Sequence, residues 1–282
     1  MKKILLIGAN GQLGSDIYKS FKKKHKITPT THNELDITKF NEVRKVVREL
    51  KPDLIINTAA YHTVDEIESN AKKAFLVNSY SQKNICDVAN DAGSTVVFIS
   101  TDYVFGQDSK RKTQYKETDS IGPVNTYGLS KVAGEELTKI FAKKYFIVRT
   151  SGLYGTTNSS NKGDNFIEKM IKRAKTLSEV KVVNDQILSP TYTKNLAENL
   201  LSLIDTEKYG LYHIVSEGHC SWWEFTNQIF KYMKIKTPCL PVSSSQFPTV
   251  AKRPNFSALE NYNLNKIKMN KTIITVRAIR PK

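Results

Sequence analysis

Short apolar runs alternate along this chain with longer segments whose apolar residues recur every three to four positions. Lys2-Lys3-Ile4-Leu5-Leu6-Ile7 has the length and continuous apolarity of a strand buried on both faces. In the segment that follows, Leu13, Ile17 and Phe21 fall on one face of a helix. Lys26-Ile27-Thr28-Pro29-Thr30-Thr31 predicts a second strand, its proline implying a strained or edge-like passage. A helix from about Lys39 to Leu50, a strand over Pro52 to Asn57 and a long helical region over roughly Asp65 to Ala92 come next. Thr95-Val96-Val97-Phe98-Ile99-Ser100 predicts a fourth strand, Tyr127 opens another helix, and Tyr145-Phe146-Ile147-Val148-Arg149 predicts a fifth strand.

Such alternation predicts right-handed βαβ units, hence an α/β fold with a Rossmann-like doubly wound parallel sheet and ligands at the carboxyl ends of its strands. The 282 residues leave room for a nucleotide-binding domain over residues 1–150 and a smaller C-terminal α/β substrate lobe over residues 151–282. Some segments of the lobe are expected to return to the first domain.

The turn after the first strand reads Gly8-Ala9-Asn10-Gly11-Gln12-Leu13-Gly14. Glycines at this spacing permit a tight strand-to-helix turn and let backbone N–H groups approach a pyrophosphate at the positive end of the helix starting near Gln12. A glycine-rich turn without a ligand also satisfies the spacing, but the position between a strand and an amphipathic helix is what a dinucleotide fingerprint requires. Gly8, Asn10, Gly11, Gln12 and Leu13 are therefore candidate cofactor contacts.

Tyr127 and Lys131 are four residues apart on a predicted helix and so share a face. An ammonium beside a phenol favours the phenolate and lowers its pKa from about 10, which makes Tyr127 the candidate catalytic acid. Ser100-Thr101-Asp102-Tyr103-Val104-Phe105-Gly106 begins where the fourth strand ends, at the ligand edge of the sheet. There the Thr101 hydroxyl is suited to holding a substrate carbonyl, although such residues also cap turns. In the C-terminal third, Asn165-Phe166 opens a helix and Asp185 to Thr191 forms a loop leading to another. Arg253 carries a planar fork that matches phosphate, a surface salt bridge being its alternative use. Trp222, Trp223, Phe225, Phe230 and Tyr232 read as core of the lobe rather than a base-stacking platform.

The formal charge of +16 raises nucleic acid as a partner. Its clusters, Lys22-Lys23-Lys24, Lys110-Arg111-Lys112 and Lys143-Lys144, are short and scattered, which argues for solvated faces with a general attraction for small anions. No stretch is long and apolar enough to span a membrane, and the apolar run near the amino terminus ends in the glycine turn, too short for a secretory core. Cys86, Cys220 and Cys239 form no C-x-x-C pair, so neither a disulfide framework nor a zinc site is indicated, and a reducing cytoplasm fits best.

Together these motifs resemble those of extended short-chain dehydrogenases/reductases, and within them the dTDP-4-dehydrorhamnose reductases. The resemblance rests on Gly8 to Gly14, Leu35-Asp36-Ile37-Thr38, Asn57-Thr58-Ala59-Ala60-Tyr61 with Val64-Asp65, Ser100 to Phe105, and Tyr127-Gly128-x-Ser130-Lys131. It continues through Arg149-Thr150-Ser151, Asn165-Phe166, Asp185-Gln186 and Arg253-Pro254. It implies that NADPH or NADH delivers hydride to C4 of a nucleotide-linked 4-keto-6-deoxysugar, giving a product such as dTDP-L-rhamnose for cell-surface polysaccharide. Tyr127 would protonate the oxygen, Thr101 would hold it, and Lys131 would bind the nicotinamide ribose while tuning Tyr127. Asp36 and Ile37 would meet the adenine; Ala59, Ala60, Tyr61 and His62 would line the cofactor channel, with Asn78 nearby. Asp102, Tyr103, Val104, Asn165, Gln186 and Arg253 would contact the sugar nucleotide. Thr30, Thr31, His32 and Glu34 do not select between the two dinucleotides.

Three features depart from the resemblance. Gly152 stands where these reductases usually carry a substrate-packing tryptophan, His62 stands where threonine is common, and the tail from Asn270 to Lys282 lacks the usual tryptophan-bearing helix. Some members hold magnesium at a homodimer contact; Asp16 occupies one such position, but no metal is assigned. The alternatives are a reductase or epimerase of another nucleotide-linked 4-keto sugar, and a non-catalytic NADP-binding subunit like the regulatory partner of methionine adenosyltransferase.

Overall fold

A computed structural model of the chain describes residues 1–156 and 165–267, so the tail from Asn270 lies outside the described residues. Its largest sheet has six strands, numbered here in chain order: β1 (Lys3–Ile7), β2 (Lys26–Thr30), β3 (Leu54–Asn57), β4 (Thr95–Thr101), β5 (Tyr145–Thr150) and β10 (Gly210–His213). All its pairings are parallel, in the order β10-β5-β4-β3-β1-β2. The fold is Rossmann-like and doubly wound, as the alternation predicts. Strand β2 lies at the edge, where Pro29 costs no interior ladder bond. β1 pairs with β2 on one side and β3 on the other, which opens a crevice at the carboxyl ends of β1 and β3.

Because side chains alternate along a strand, Leu5 and Leu6 enter different cores. Leu6, Ile56, Val97 and Val148 pack with α1 (Gln12–Phe21) and α8 (Thr193–Leu203) through Ile17, Phe21, Leu196 and Leu200. Leu5, Ile7, Ile55 and Val96 pack with α2 (Phe40–Leu50) and α5 (Ser81–Ala92) through Val43, Val47, Ile85 and Val88. The region read as one helix from Asp65 to Ala92 is instead α3 (Val64–Ser69), α4 (Ala71–Phe75), a π-helical turn (Leu76–Tyr80) and α5. Asn70 breaks it with non-helical φ of −125°, and the π turn carries Asn78. Helix α6 (Thr126–Phe141) follows β4 and packs on that side.

The second lobe has its own core of Tyr154, Ile167, Met170, Val180, Phe225 and Ile229. It is built from α7 (Phe166–Thr176), α9 (Trp222–Met233) and the parallel pair β7 (Val180–Val183) and β12 (Cys239–Val242). Capping boxes at Asn165/Glu168 and Ser221/Glu224 start the two helices. Two short ladders lie between the lobe and the main sheet: β6 (Leu153–Tyr154) with β9 (Thr191–Tyr192), and β8 (Ile187–Leu188) with β11 (Cys220–Ser221). Helix α8, strand β10 and α10 (Tyr262–Lys266) return to the first body, and β10 had no apolar run to announce it. Among the described residues no helix is long and apolar enough to cross a membrane.

Candidate active site

The glycine turn closes the crevice between β1 and β3. Gly8 has φ of +80°, and a Cβ there would lie 2.7 Å from Thr58 Oγ1, whose hydroxyl donates to the Ile7 carbonyl at 2.7 Å. A Cβ on Gly14 would collide with the Gly8 carbonyl oxygen. The turn is closed by Gly11 N donating to Gly8 O at 3.0 Å. Gly11 N-caps α1 without a side-chain bond, leaving first-turn N–H groups open, and the buried Gln12 Nε2 has no partner among the described residues. An unpaired buried donor beside a helix N-terminus fits an anionic ligand such as a pyrophosphate. Asn10 is exposed at the rim, whereas the Leu13 side chain is packed into the core, so only its backbone can face the turn.

The remaining cofactor candidates come from the carboxyl ends of β2 and β3. Asp36 accepts from Thr38 N at 2.9 Å and Thr38 Oγ1 at 2.8 Å. Burial pushes its carboxyl up, but these bonds, with His32 and Lys39 nearby, bring it below its ordinary value. Ile37 is buried in the second core, so its side chain has little surface for an adenine. Ala59, Ala60, Tyr61 and His62 form a half-buried loop after β3. Asn78 lies behind that loop: its Oδ1 accepts from Tyr61 N, and its Nδ2 donates to Tyr61 O and Ser130 Oγ, each at 2.9 Å. At 1% exposure, its side chain braces the channel loop against α6 rather than lining the channel.

The three catalytic candidates converge at the end of β4. Thr101 Oγ1 accepts from Tyr103 N at 3.2 Å and donates to Asp102 Oδ1 at 3.3 Å, and its hydroxyl acts on the Tyr127 phenol. Asn125 caps α6 by accepting from Gly128 N at 2.8 Å. A Cβ on Gly128 would strike the Tyr103 carbonyl, so the first turn of α6 lies directly on the loop after β4. The Tyr103 and Tyr127 rings meet edge-on with centroids 5.8 Å apart. Lys131, 1% exposed, donates through Nζ to Ile99 O at 2.7 Å and sits 3.9 Å over the Phe98 ring.

The expected lowering of the tyrosine by the lysine is overturned. Burial pushes Tyr127 up to about 12, opposed by the Thr101 hydrogen bond and reinforced by Asp102. Burial pushes Lys131 down to about 7, opposed by Glu135. Desolvation, which penalises each charged form, outweighs the pairwise attraction that the spacing alone suggests.

Behind Lys131 lies an ion pair that the sequence reading missed. Glu135 and Arg149 are 0% and 1% exposed. Glu135 accepts from Arg149 Nε at 2.9 Å, from Arg149 Nη2 at 2.6 Å and from Ser100 Oγ at 2.5 Å. The available signal was the second i,i+4 step along α6, from Lys131 to Glu135. His213, opposite Arg149 in the β10/β5 register, faces two carbonyls through Nδ1, and burial followed by the Arg149 charge pushes it down to about 3.

The substrate candidates are separated by their surroundings. Asp102 accepts from Ser257 at 2.5 Å and Ser151 at 2.9 Å, and burial raises it to about 6 despite these bonds. Val104 is 0% exposed in a core cluster with Phe105 and Tyr115, leaving its side chain no ligand-facing surface. Asn165 is engaged in capping α7, with Nδ2 donating to Gly155 O at 3.2 Å. Gln186 is half-buried, and Arg253 pairs with Asp65. Gly152 has φ of +52°, and a Cβ there would come within 2.6 Å of Leu188 Cδ1, so both backbone and neighbour exclude a tryptophan.

The lobe's aromatic residues do not all enter its core, and Tyr232, read as core, is 39% exposed. Phe225 and Phe230 are core, while Trp222 joins Phe166, Phe247, Val182, Arg173 and Lys181 around a cavity of about 200 Å³. The Phe166 and Trp222 rings lie 4.3 Å apart. Asp16, the acid associated with a metal position, accepts from Thr193 Oγ1 at 2.6 Å and lies 3.6 Å from Lys19 Nζ. Among the described residues no group of three or more His, Cys, Asp or Glu gathers in a way that could hold a metal.

Residues 1–276 match the family described as the RmlD substrate binding domain. The chain is 37% identical over 262 residues to the spore coat polysaccharide biosynthesis protein SpsK of Bacillus subtilis, covering 93% of this chain and 90% of that protein. A dTDP-4-dehydrorhamnose reductase from Clostridium acetobutylicum superposes with a TM-score of 0.91 at 41% identity, covering 96% of this chain and 94% of that one. The dTDP-4-dehydrorhamnose reductase of Bacillus anthracis, solved with NADP, superposes with a TM-score of 0.91 at 39% identity over 96% and 95% of the chains.

Proposed function

The chain belongs to the RmlD substrate binding domain family, and on that premise we propose that it is an NAD(P)H-dependent oxidoreductase reducing the C4 keto group of dTDP-4-dehydro-L-rhamnose to dTDP-L-rhamnose. The product would serve deoxysugar and cell-surface polysaccharide biosynthesis. The observation that carries this reading is the convergence of Thr101, Tyr127 and Lys131 at the carboxyl edge of the sheet that also bears the glycine cradle.

Bound dinucleotide supplies the hydride; the protein's residues supply orientation, a proton and electrostatics. The Gly8–Gly14 turn, the open N-terminus of α1 and Gln12 Nε2 hold the pyrophosphate. Asp36, Ala60, Tyr61 and His62 hold the rest of the cofactor. Lys131 has one donor on Ile99 O and so keeps two for ribose hydroxyls and for charge building on the substrate oxygen. Thr101 and Tyr127 bind that oxygen together, and Tyr127 gives it a proton. A phenol held at about 12 is fully protonated at neutral pH, the form a general acid requires. The aromatic-walled cavity with Arg173 and Lys181 suits a nucleobase, with Arg253 assigned to the diphosphate and Asn165 and Gln186 to the sugar nucleotide.

Free Cys86, Cys220 and Cys239 support a cytoplasmic location, and a homodimer is the assembly we assign, to be checked by sedimentation. Absorbance decay of NADPH and NADH with enzymatically generated dTDP-4-keto-6-deoxy-L-sugar tests the reaction. Stoichiometric oxidation yielding dTDP-L-rhamnose by mass and NMR is expected. Intact dinucleotide binding without oxidation rejects this substrate. Gly152 favours a second reading, another nucleotide-linked 4-keto sugar, which turnover of that sugar by the same assay would identify.

A further inference from the structure

We infer that Asp65 is a positioning residue for the sugar nucleotide: it holds Arg253 beside the Tyr103–Tyr127 pair, with the guanidinium aimed at the substrate's diphosphate. The inference rests on the nucleotide-sugar reading above and adds to it a residue with no catalytic atom of its own. Asp65 lies in the first turn of α3, after the loop that follows β3, and commits both carboxylate oxygens to the strap formed by residues 251–254. Oδ2 accepts from Arg253 Nη2 at 2.9 Å, and Oδ1 accepts from the Ala251 backbone N–H at 3.0 Å.

The strap is tied at two further points. Its Lys252 carbonyl accepts from Asn125 Nδ2 at 2.8 Å, and Asn125 Oδ1 caps the helix that carries Tyr127. Its far end packs on the loop after β4, where a Cβ on Gly106 would lie 2.9 Å from Pro254 Cβ. Glu68, one turn after Asp65, accepts from Thr126 N at 2.9 Å and Thr126 Oγ1 at 2.7 Å. Helix α3, the strap and the first turn of α6 therefore form one junction, with Tyr127 next to Thr126.

Arg253 is positioned for a ligand rather than sealed away. Its side chain is 17% exposed, and the charges of both Arg253 and Asp65 act on the phenol of Tyr103, the ring that packs edge-on against Tyr127. Nη2 serves Asp65 and Nη1 makes a long contact of 3.4 Å to Ala251 O, so Nε and the rest of the fork are uncommitted among the described residues. A planar fork with one edge fixed by a carboxylate presents its other donors in a set direction, the arrangement that bidentate phosphate recognition uses. Asp65 itself is 44% exposed, and an ion pair so open to solvent adds little to stability.

The test compares wild-type chain with Asp65→Asn and Asp65→Glu in steady-state turnover of the sugar nucleotide and in calorimetric binding of dTDP and, separately, of NADPH. Asp65→Asn is expected to raise KM and the dTDP dissociation constant at least about tenfold, with kcat within about threefold of wild type. NADPH affinity and melting temperature should stay put, and Asp65→Glu should recover part of the dTDP affinity. Unchanged KM and dTDP affinity, a fall in kcat at constant KM, or no dTDP binding by the wild type would each overturn the assignment. If the wild type binds dTDP and Asp65→Asn weakens it while no turnover occurs, the positioning role stands and the assigned reaction fails. If turnover occurs and is indifferent to Asp65→Asn, the assigned reaction stands and the positioning role fails.

Discussion

A phenol that stays protonated up to about 12 sits near an amine that is half-protonated near 7, and both shifts arise from burial. Tyr127→Phe removes the proton donor while leaving the ring, so turnover should fall by about 10²-fold or more with dinucleotide affinity kept, measured by stopped-flow reduction and fluorescence titration. Unchanged turnover would reject the acid. For Lys131 the folded value lies below the unfolded one, so between about 7 and about 10 the unfolded chain holds the extra proton and this site's contribution to stability rises with pH. If ribose binds the ammonium, NADPH binding above about pH 7 must take up a proton and weaken as pH rises. Calorimetry at about pH 8 in buffers of different ionisation heat checks this, and affinity independent of pH would remove the charge from binding. Their proximity along one helix face was legible in their spacing. The direction of their pKa shifts was not, because the spacing carries no information on how completely water is excluded.

Helix α6 carries the proposed catalytic groups on one stripe: Tyr127, Lys131 and Glu135 recur at i,i+4, and glycines on the same helix allow close neighbours. A Cβ on Gly134 would strike the Asn78 carbonyl of the π turn, so α6 and that turn pack backbone to backbone. The Glu135–Arg149 pair anchors the stripe to β4 and β5 through Ser100. Glu135→Gln leaves Arg149 a buried, uncompensated cation and should cost about 3–5 kcal/mol in urea unfolding. Glu135→Gln with Arg149→Met removes both charges and should recover most of that loss. A single variant as stable as wild type would show that Arg149 finds other compensation. At this scale the strands with apolar runs and the amphipathic helices were legible. The break at Asn70 and the strand β10 were not: the first is a single residue with non-helical backbone angles inside a helical pattern, and the second depends on a place already prepared beside β5.

Across the whole molecule, 43 basic against 27 acidic residues give a net charge of +16, and the substrate and cofactor proposed are both anions. Steering by this field predicts that kcat/KM falls severalfold between low and about 0.5 M salt, through KM more than kcat. A rate indifferent to salt would confine the charge to solubility. What the sequence determined by itself was the alternation of strands and helices, the glycine turn and the placement of Thr101, Tyr127 and Lys131 as candidates at one sheet edge, since each depends on local periodicity or on parallel topology. Only the tertiary structure decided which candidates keep an open face. Val104 and Ile37 are sealed in cores, Asn78 braces a loop, Gly152 is held to glycine by its backbone and by Leu188, and Arg253 meets Asp65, 188 residues away in sequence. Exposure, long-range pairing and desolvation are properties of the packed chain, and no local pattern contains them.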